Sequence, residues 1–325
     1  MFDTEGDLET RRLGLFVLFA FGIAWATAAV IYATGGLTDS PTVGSIPGFS
    51  LTLAGVLLPT TYMFAPGIAN VLTRALTGEG WSDLLLRPRI RGAVRYYAAA
   101  WLVPATLSLL GAATFYLLFP QYFDPTMADF AAALGAQAGQ PVDPRTVALV
   151  QVAAALTVAP LVNAVFAFGE EFGWRAYLLP KLTPLGTRRA VLLHGLVWGV
   201  WHWPVILMGY EYGFGYPGAP WSGLVVFLVF TVSVGTFLAW VTVRTESVWP
   251  AALGHGAVNA ISGVGIAFVR GSPNPLLGPL PVGLVGGLPW LVVAIYLLYR
   301  TTPLQPGTRR ESAVDATPSA STAGE

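Results

Sequence analysis

Residues Trp221–Val243 read WSGLVVFLVFTVSVGTFLAWVTV, twenty-three positions without an ionisable side chain. A helix rises about 1.5 Å per residue, so the run reaches roughly 34 Å, enough to cross a hydrocarbon core of about 30 Å. Seven more apolar runs flank it: Leu13–Thr34, Phe49–Val71, Tyr96–Leu118, Val147–Leu179, Ala190–Met208, Val248–Val269 and Pro281–Tyr299. Val147–Leu179 is too long for one simple crossing. The rest of the composition agrees: of 325 residues, 54% are hydrophobic and 10% charged, with a mean hydropathy of +0.63. A soluble domain carries about 25% charged residues, so a water-facing surface is missing. The fold expected is all-α, a polytopic membrane bundle of about eight transmembrane helices.

Charge and cysteine content narrow the function classes. Seventeen Lys and Arg balance seventeen Asp and Glu, which leaves no basic surface for nucleic acid. Cysteine is absent, so disulfides, thiolate catalysis and Cys-ligated metal are excluded. Fourteen of the Lys and Arg residues fall in the segments that share a side with the N-terminus, against Arg145 and Arg270 on the other, with Arg175 inside a span. By the positive-inside rule both termini are cytoplasmic. No small-residue cleavage site follows the first run, so it reads as a retained helix. The expected organisation is a cytoplasmic tail over 1–12, a transmembrane domain over 13–300 with its motifs in 165–260, and a disordered cytoplasmic tail over 301–325. The basic stretch Arg87–Arg95 serves first as a topology signal and also suits anionic lipid headgroups. No internal repeat of the transporter kind is visible.

Ionisable groups inside spans are costly and mark function by default. Here they are Glu170, Glu171 and Arg175 in the fourth span, His194 and His202 in the fifth, and His255 with Asn259 in the seventh. Counted from the basic end of each helix, Glu170 and His255 lie roughly 16 Å deep, His202 roughly 20 Å and Asn259 roughly 22 Å. Three helices thus deliver polar groups to one depth. His194 is shallower and fits interhelical or interfacial contact better.

Spacing separates the roles. Glu171 and Arg175 are i and i+4, in the favourable acid-before-base order, and read as a structural ion pair. Glu170 is rotated about 100° away and has no such base, which suits a general base or acid. His255 and Asn259 share a helix face and offer two donors to a developing oxyanion. His202 lies among Trp198, Trp201 and Trp203 and precedes Pro204, where a bend is expected. The tryptophans read as packing and interface residues.

At these positions the chain resembles the CAAX protease and bacteriocin-processing (CPBP, or Abi) family of intramembrane proteases. The motif Glu-Glu-x-x-x-Arg stands at Glu170–Arg175, the aromatic-x-x-x-His motif at Trp198–His202, and His-x-x-x-Asn at His255–Asn259. Two positions depart from the family pattern: Trp198 replaces a more usual Phe, and Ala176 a more usual Gly. The resemblance implies an endopeptidase in which Glu170 activates water and His202 holds and polarises it. His255 and Asn259 would form the oxyanion hole, and Glu171 with Arg175 would brace the site. It also implies a membrane-associated peptide or protein substrate, CAAX-like or of bacteriocin type, cleaved in a site opening toward the cytoplasm. The expected location is the plasma membrane of a prokaryotic cell. No cofactor is expected. If zinc were bound, Glu170, His202 and His255 would be its ligands, although the tight spacing typical of zinc proteases is missing. Two rivals remain from the residues alone: a proton-coupled transporter, and a non-catalytic immunity or scaffold protein on the same fold.

Overall fold

The computed structural model describes residues 6–46 and 49–299, so the expected tail over 301–325 lies outside the described residues. The chain is an α-helical bundle. Helix α1 (Thr10–Ala33) is followed by a small antiparallel hairpin, β1 (Thr42–Ile46) and β2 (Phe49–Thr52). Helix α2 (Leu53–Thr77) contains a π-helical turn at Leu58–Tyr62. Next come α3 (Val94–Leu118), the short α4 (Ala128–Ala138), α5 (Pro144–Leu156) and α6 (Ala159–Leu185). The remainder is α7 (Thr187–Trp201), α8 (Trp203–Leu207), α9 (Trp221–Thr245), α10 (Trp249–Phe268) and α11 (Leu288–Tyr299).

Among the described residues, five helices are long and apolar enough to cross a membrane, or six when the bent pair α5 and α6 counts as one. That pair meets at 57°, which accounts for the over-long run at Val147–Leu179. The break falls just before Pro160, whose missing N–H is tolerated in the first turn of α6. Two expected spans are shorter than their apolar runs. Residues 281–287 form turns, so α11 starts only at Leu288, and Pro204 divides Ala190–Met208 into α7 and α8. Glu9, just before α1, is tied to the bundle: it bonds Lys181 at 2.6 Å and pairs with Arg12.

The basic ends of the helices gather on one side. Lys181 joins Glu9 and Glu79, buried Arg74 bonds Asp83 at 2.6 Å, and Arg89 pairs with Glu246. Arg244 bonds the Tyr96 hydroxyl at 2.9 Å on the same side. At the opposite end Asp124 N–H donates to Phe268 O at 2.9 Å, and Gly271 N–H donates to Asp129 at 2.8 Å. Adjacent helices therefore alternate in direction, as the charge distribution requires.

Several hydroxyls within the helices are satisfied locally. Thr231, Thr236, Thr242 and Thr245 each donate to the carbonyl four residues earlier, which removes the cost of a free polar group in hydrocarbon. Between Glu170 and the basic end, α6 is plugged by Trp174, Arg175, Tyr177 and Leu178, all almost fully buried. Trp174 meets Phe16 and Trp201 edge-on at ring-centre distances of 5.6 and 5.8 Å, and Phe16 stacks on Tyr177.

Small residues let α6 touch both neighbours. A Cβ at Gly173 would lie 2.3 Å from the Pro66 backbone of α2, and one at Gly256 would lie 2.5 Å from the Pro160 carbonyl. Gly256 sits between His255 and Asn259, so this approach sets the distance from α10 to the α6 carboxylates. Gly256→Val should push the two helices apart, at a cost of about 1–3 kcal/mol for overpacking. The expected readout is a lower thermal midpoint in detergent, and an unchanged midpoint would contradict this account of the contact.

Candidate active site

Glu170, His202, His255 and Asn259 line one cavity of about 290 Å³, although they come from two separate helices and a helix junction. Glu170 and Glu171 occupy successive positions on α6, just before a π-helical turn at Trp174–Leu178. Such turns are rare in helices and frequent at functional sites. His202 is the junction between α7 and α8, with Pro204 one residue beyond Trp203. The bend read from that proline is present.

Trp198 ties the site together. Its Nε1–H donates to Glu170 Oε2 at 2.8 Å, and its carbonyl accepts from His202 Nδ1 at 2.8 Å. Its ring lies under the Arg175 guanidinium at 4.2 Å and meets the His255 ring edge-on at 5.4 Å. A carbonyl can only accept, so His202 Nδ1 carries the proton and its Nε2 keeps a lone pair. Reading the tryptophans as packing residues missed this one. The available signal was its place four residues before His202, which brings its carbonyl within reach of that ring.

A second group lies beneath. Arg175 Nη1 and His255 Nδ1 both bond Glu171 Oε1 at 2.8 Å, and Glu171 and Arg175 are 0% exposed. The pairing read from i, i+4 spacing is therefore present, and it extends to His255. With Nδ1–H donated to Glu171, His255 turns Nε2 to the cavity. That atom donates to an oxyanion only when the ring carries both protons.

Other expected residues are placed differently. His194 is fully buried, with its ring edge-on to Trp174 at 6.5 Å, and does not line the cavity. Among the described residues no three His, Asp or Glu side chains are grouped as metal ligands. Glu170 accepts from Trp198, and both cavity histidines commit Nδ1 to a carbonyl or carboxylate, which leaves Nε2 facing the cavity.

The cavity also holds polar groups that sequence reasoning passed over: Asn163, Tyr210 and Glu211. Tyr210 and Glu211 lie between apolar runs, where charge is unremarkable. Their position bears on the direction of access. The lining residues Tyr62, Asn163, His202, Phe227, Asn259 and Ser262 all lie away from the basic end of their own helices, and Glu211 and Val282 sit in the connections at the far end. The cavity therefore occupies the half of the bundle away from the basic helix ends.

Residues 149–261, which include all three motifs, match a family model described as "Type II CAAX prenyl endopeptidase Rce1-like". Over 93 residues, 28% of this chain, the sequence is 29% identical to "CAAX prenyl protease 2" of Methanococcus maripaludis. That match spans 34% of the relative's length. These similarities cover the region that carries the three motifs, and there the chain is similar to Rce1-like CAAX prenyl endopeptidases.

Proposed function

We propose that this chain is an intramembrane endopeptidase that hydrolyses peptide bonds of membrane-associated peptides or proteins with a water activated by Glu170. One observation carries the reading: a buried carboxylate, an imidazole nitrogen with a free lone pair and two further polar groups face a single cavity.

The step balances as follows. Water lies between Glu170 and His202 Nε2; Glu170 takes one proton as the water oxygen adds to the scissile carbonyl carbon. The carbonyl oxygen becomes an oxyanion facing Asn259 and His255 Nε2, with His255 held in line by Glu171. Glu170 then returns its proton to the amide nitrogen, the C–N bond breaks, and a carboxylic acid and an amine leave. The Trp198 indole N–H fixes the acceptor oxygen of Glu170 so that the other oxygen meets the water. No step passes through a metal.

Asn259→Ala should lower kcat by about 10²-fold, the loss typical of one oxyanion-hole donor, with KM nearly unchanged. A larger effect on KM than on kcat would move Asn259 from the transition state to substrate binding. The function itself is tested with pure protein in proteoliposomes, membrane peptides and heavy-oxygen water. Label in the new C-terminus is expected; uptake of peptide without cleavage would favour a transporter. Cleavage of peptides presented only on the side opposite the termini would fit the cavity's position.

A further inference from the structure

Glu211 stands apart from the motif residues, on the connection between α8 and α9 at the far end of the cavity from the basic cluster. Its backbone is left-handed, with φ 66°, a region that non-glycine residues enter seldom. The connection holds it there. Tyr212 N–H donates to Tyr210 O at 2.8 Å, closing a three-residue turn around Glu211. The Tyr212 hydroxyl anchors the turn to Val282 O at 2.7 Å, and Tyr210 N–H bonds Val205 O at 3.0 Å. The turn places Glu211 on the wall of the same 290 Å³ cavity that Glu170 lines.

The lining around it is richer in carboxylates than in cations, His255 being the one group that can carry a positive charge. It contains Glu170 and Glu211 but no Lys or Arg, and it presents the aromatic faces of Tyr62, Trp198, Trp201, Tyr210, Phe227 and Phe230. Glu170 is already engaged by Trp198 and placed for water, whereas the group acting on Glu211 is the neighbouring Tyr210 hydroxyl and no cation. Carboxylate and aromatic faces together attract a cationic nitrogen.

Resting on the endopeptidase reading above, the geometry points to Glu211 as a specificity residue that binds a cationic nitrogen of the substrate, so that the cavity selects peptides with a positive charge near the scissile bond. A Lys or Arg side chain and a free N-terminal amine share this chemistry. An aliphatic or acidic group at that place would leave the partly buried Glu211 without a cationic partner, and the cavity would discriminate against it.

Ionisation gives the preference a pH signature. Burial pushes the Glu211 carboxyl above the usual carboxylate range, only partly offset by Tyr210. The titratable groups around it are Tyr210 and Tyr212 on its own connection, and Tyr62, Glu170, His202 and His255 across the cavity. The carboxylate form binds the cation, so preference for cationic over neutral peptides should grow as pH rises through the Glu211 range.

The test uses the full chain in proteoliposomes and peptides that differ at one position, with Lys, Gln or Glu walked past the cleavage site. Each is made with a free and with an acetylated N-terminus, which separates the two sources of charge. Wild type should favour the cationic member by at least about tenfold in kcat/KM, carried by KM, equivalent to about 1.4 kcal/mol. Glu211→Gln should bring the ratio to about one and remove its pH dependence, and Glu211→Lys should turn the preference toward Glu. A wild-type ratio that persists in Glu211→Gln overturns the assignment. So does an equal loss on cationic and neutral peptides, which would put Glu211 in the chemistry. If wild type cleaves no peptide, the endopeptidase reading fails, and Glu211 is judged by binding of fluorescent cationic and neutral peptides to wild type and Glu211→Gln.

Discussion

Glu170→Gln should lower kcat/KM by up to about 10⁴-fold, the upper end of what one general base contributes. The substitution keeps size and one carbonyl oxygen, so the Trp198 indole N–H retains its acceptor and the buried α6 face retains its packing. What disappears is the ability to take a proton from water. The loss is therefore expected in kcat, with an unchanged thermal midpoint and unchanged membrane insertion. Measured on purified protein, near-wild-type turnover by Glu170→Gln would end the water-activation mechanism. A neutral side chain also relieves the crowding of two adjacent carboxylates, so any stability change should be a gain.

Arg175→Ala should act on the fold. Its guanidinium holds Glu171 at 2.8 Å in a fully buried place and lies over the Trp198 ring at 4.2 Å. Removing one partner of a buried pair costs about 3–5 kcal/mol, because the other charge stays behind. Lost cation–π contact adds up to about 2 kcal/mol in a desolvated site, although the two terms overlap. The expected result is a sharp fall in thermal midpoint and in membrane abundance. Arg175→Lys should recover part of it, since an ammonium pairs with Glu171 but stacks less well on the indole. If Arg175→Ala melts with wild type, Glu171 is neutral in the native protein and the pair has no structural role.

Much of the arrangement was legible because lipid makes polar residues conspicuous. Glu170, His202, His255 and Asn259 stood out against apolar runs, and counting from basic helix ends gave them a shared depth. Periodicity identified the Glu171–Arg175 pair, since i and i+4 share a helix face. It did not show that His255 shares the same carboxylate oxygen, which depends on how closely Gly256 lets α10 approach α6. Trp198 escaped because a tryptophan that packs and one that donates to a carboxylate have the same composition. Glu211 escaped because a carboxylate between spans carries no penalty, and only the turn around it places it on the cavity wall. Hydropathy also merged α5 with α6, since a 57° bend leaves no trace in an unbroken apolar run.

The aromatic plug beneath Glu170 has a consequence for how the protein senses its surroundings. Trp174, Phe16, Tyr177 and Trp201 close α6 on the basic side, while the cavity extends the other way. The plug stands between the carboxyl and the basic helix ends, so proton exchange with Glu170 is favoured from the cavity side. On the reaction proposed above, the rate should follow the pH on the cavity's side of the bilayer more closely than the pH on the basic side. Water drawn in for hydrolysis would then stop at the plug instead of bridging the two faces.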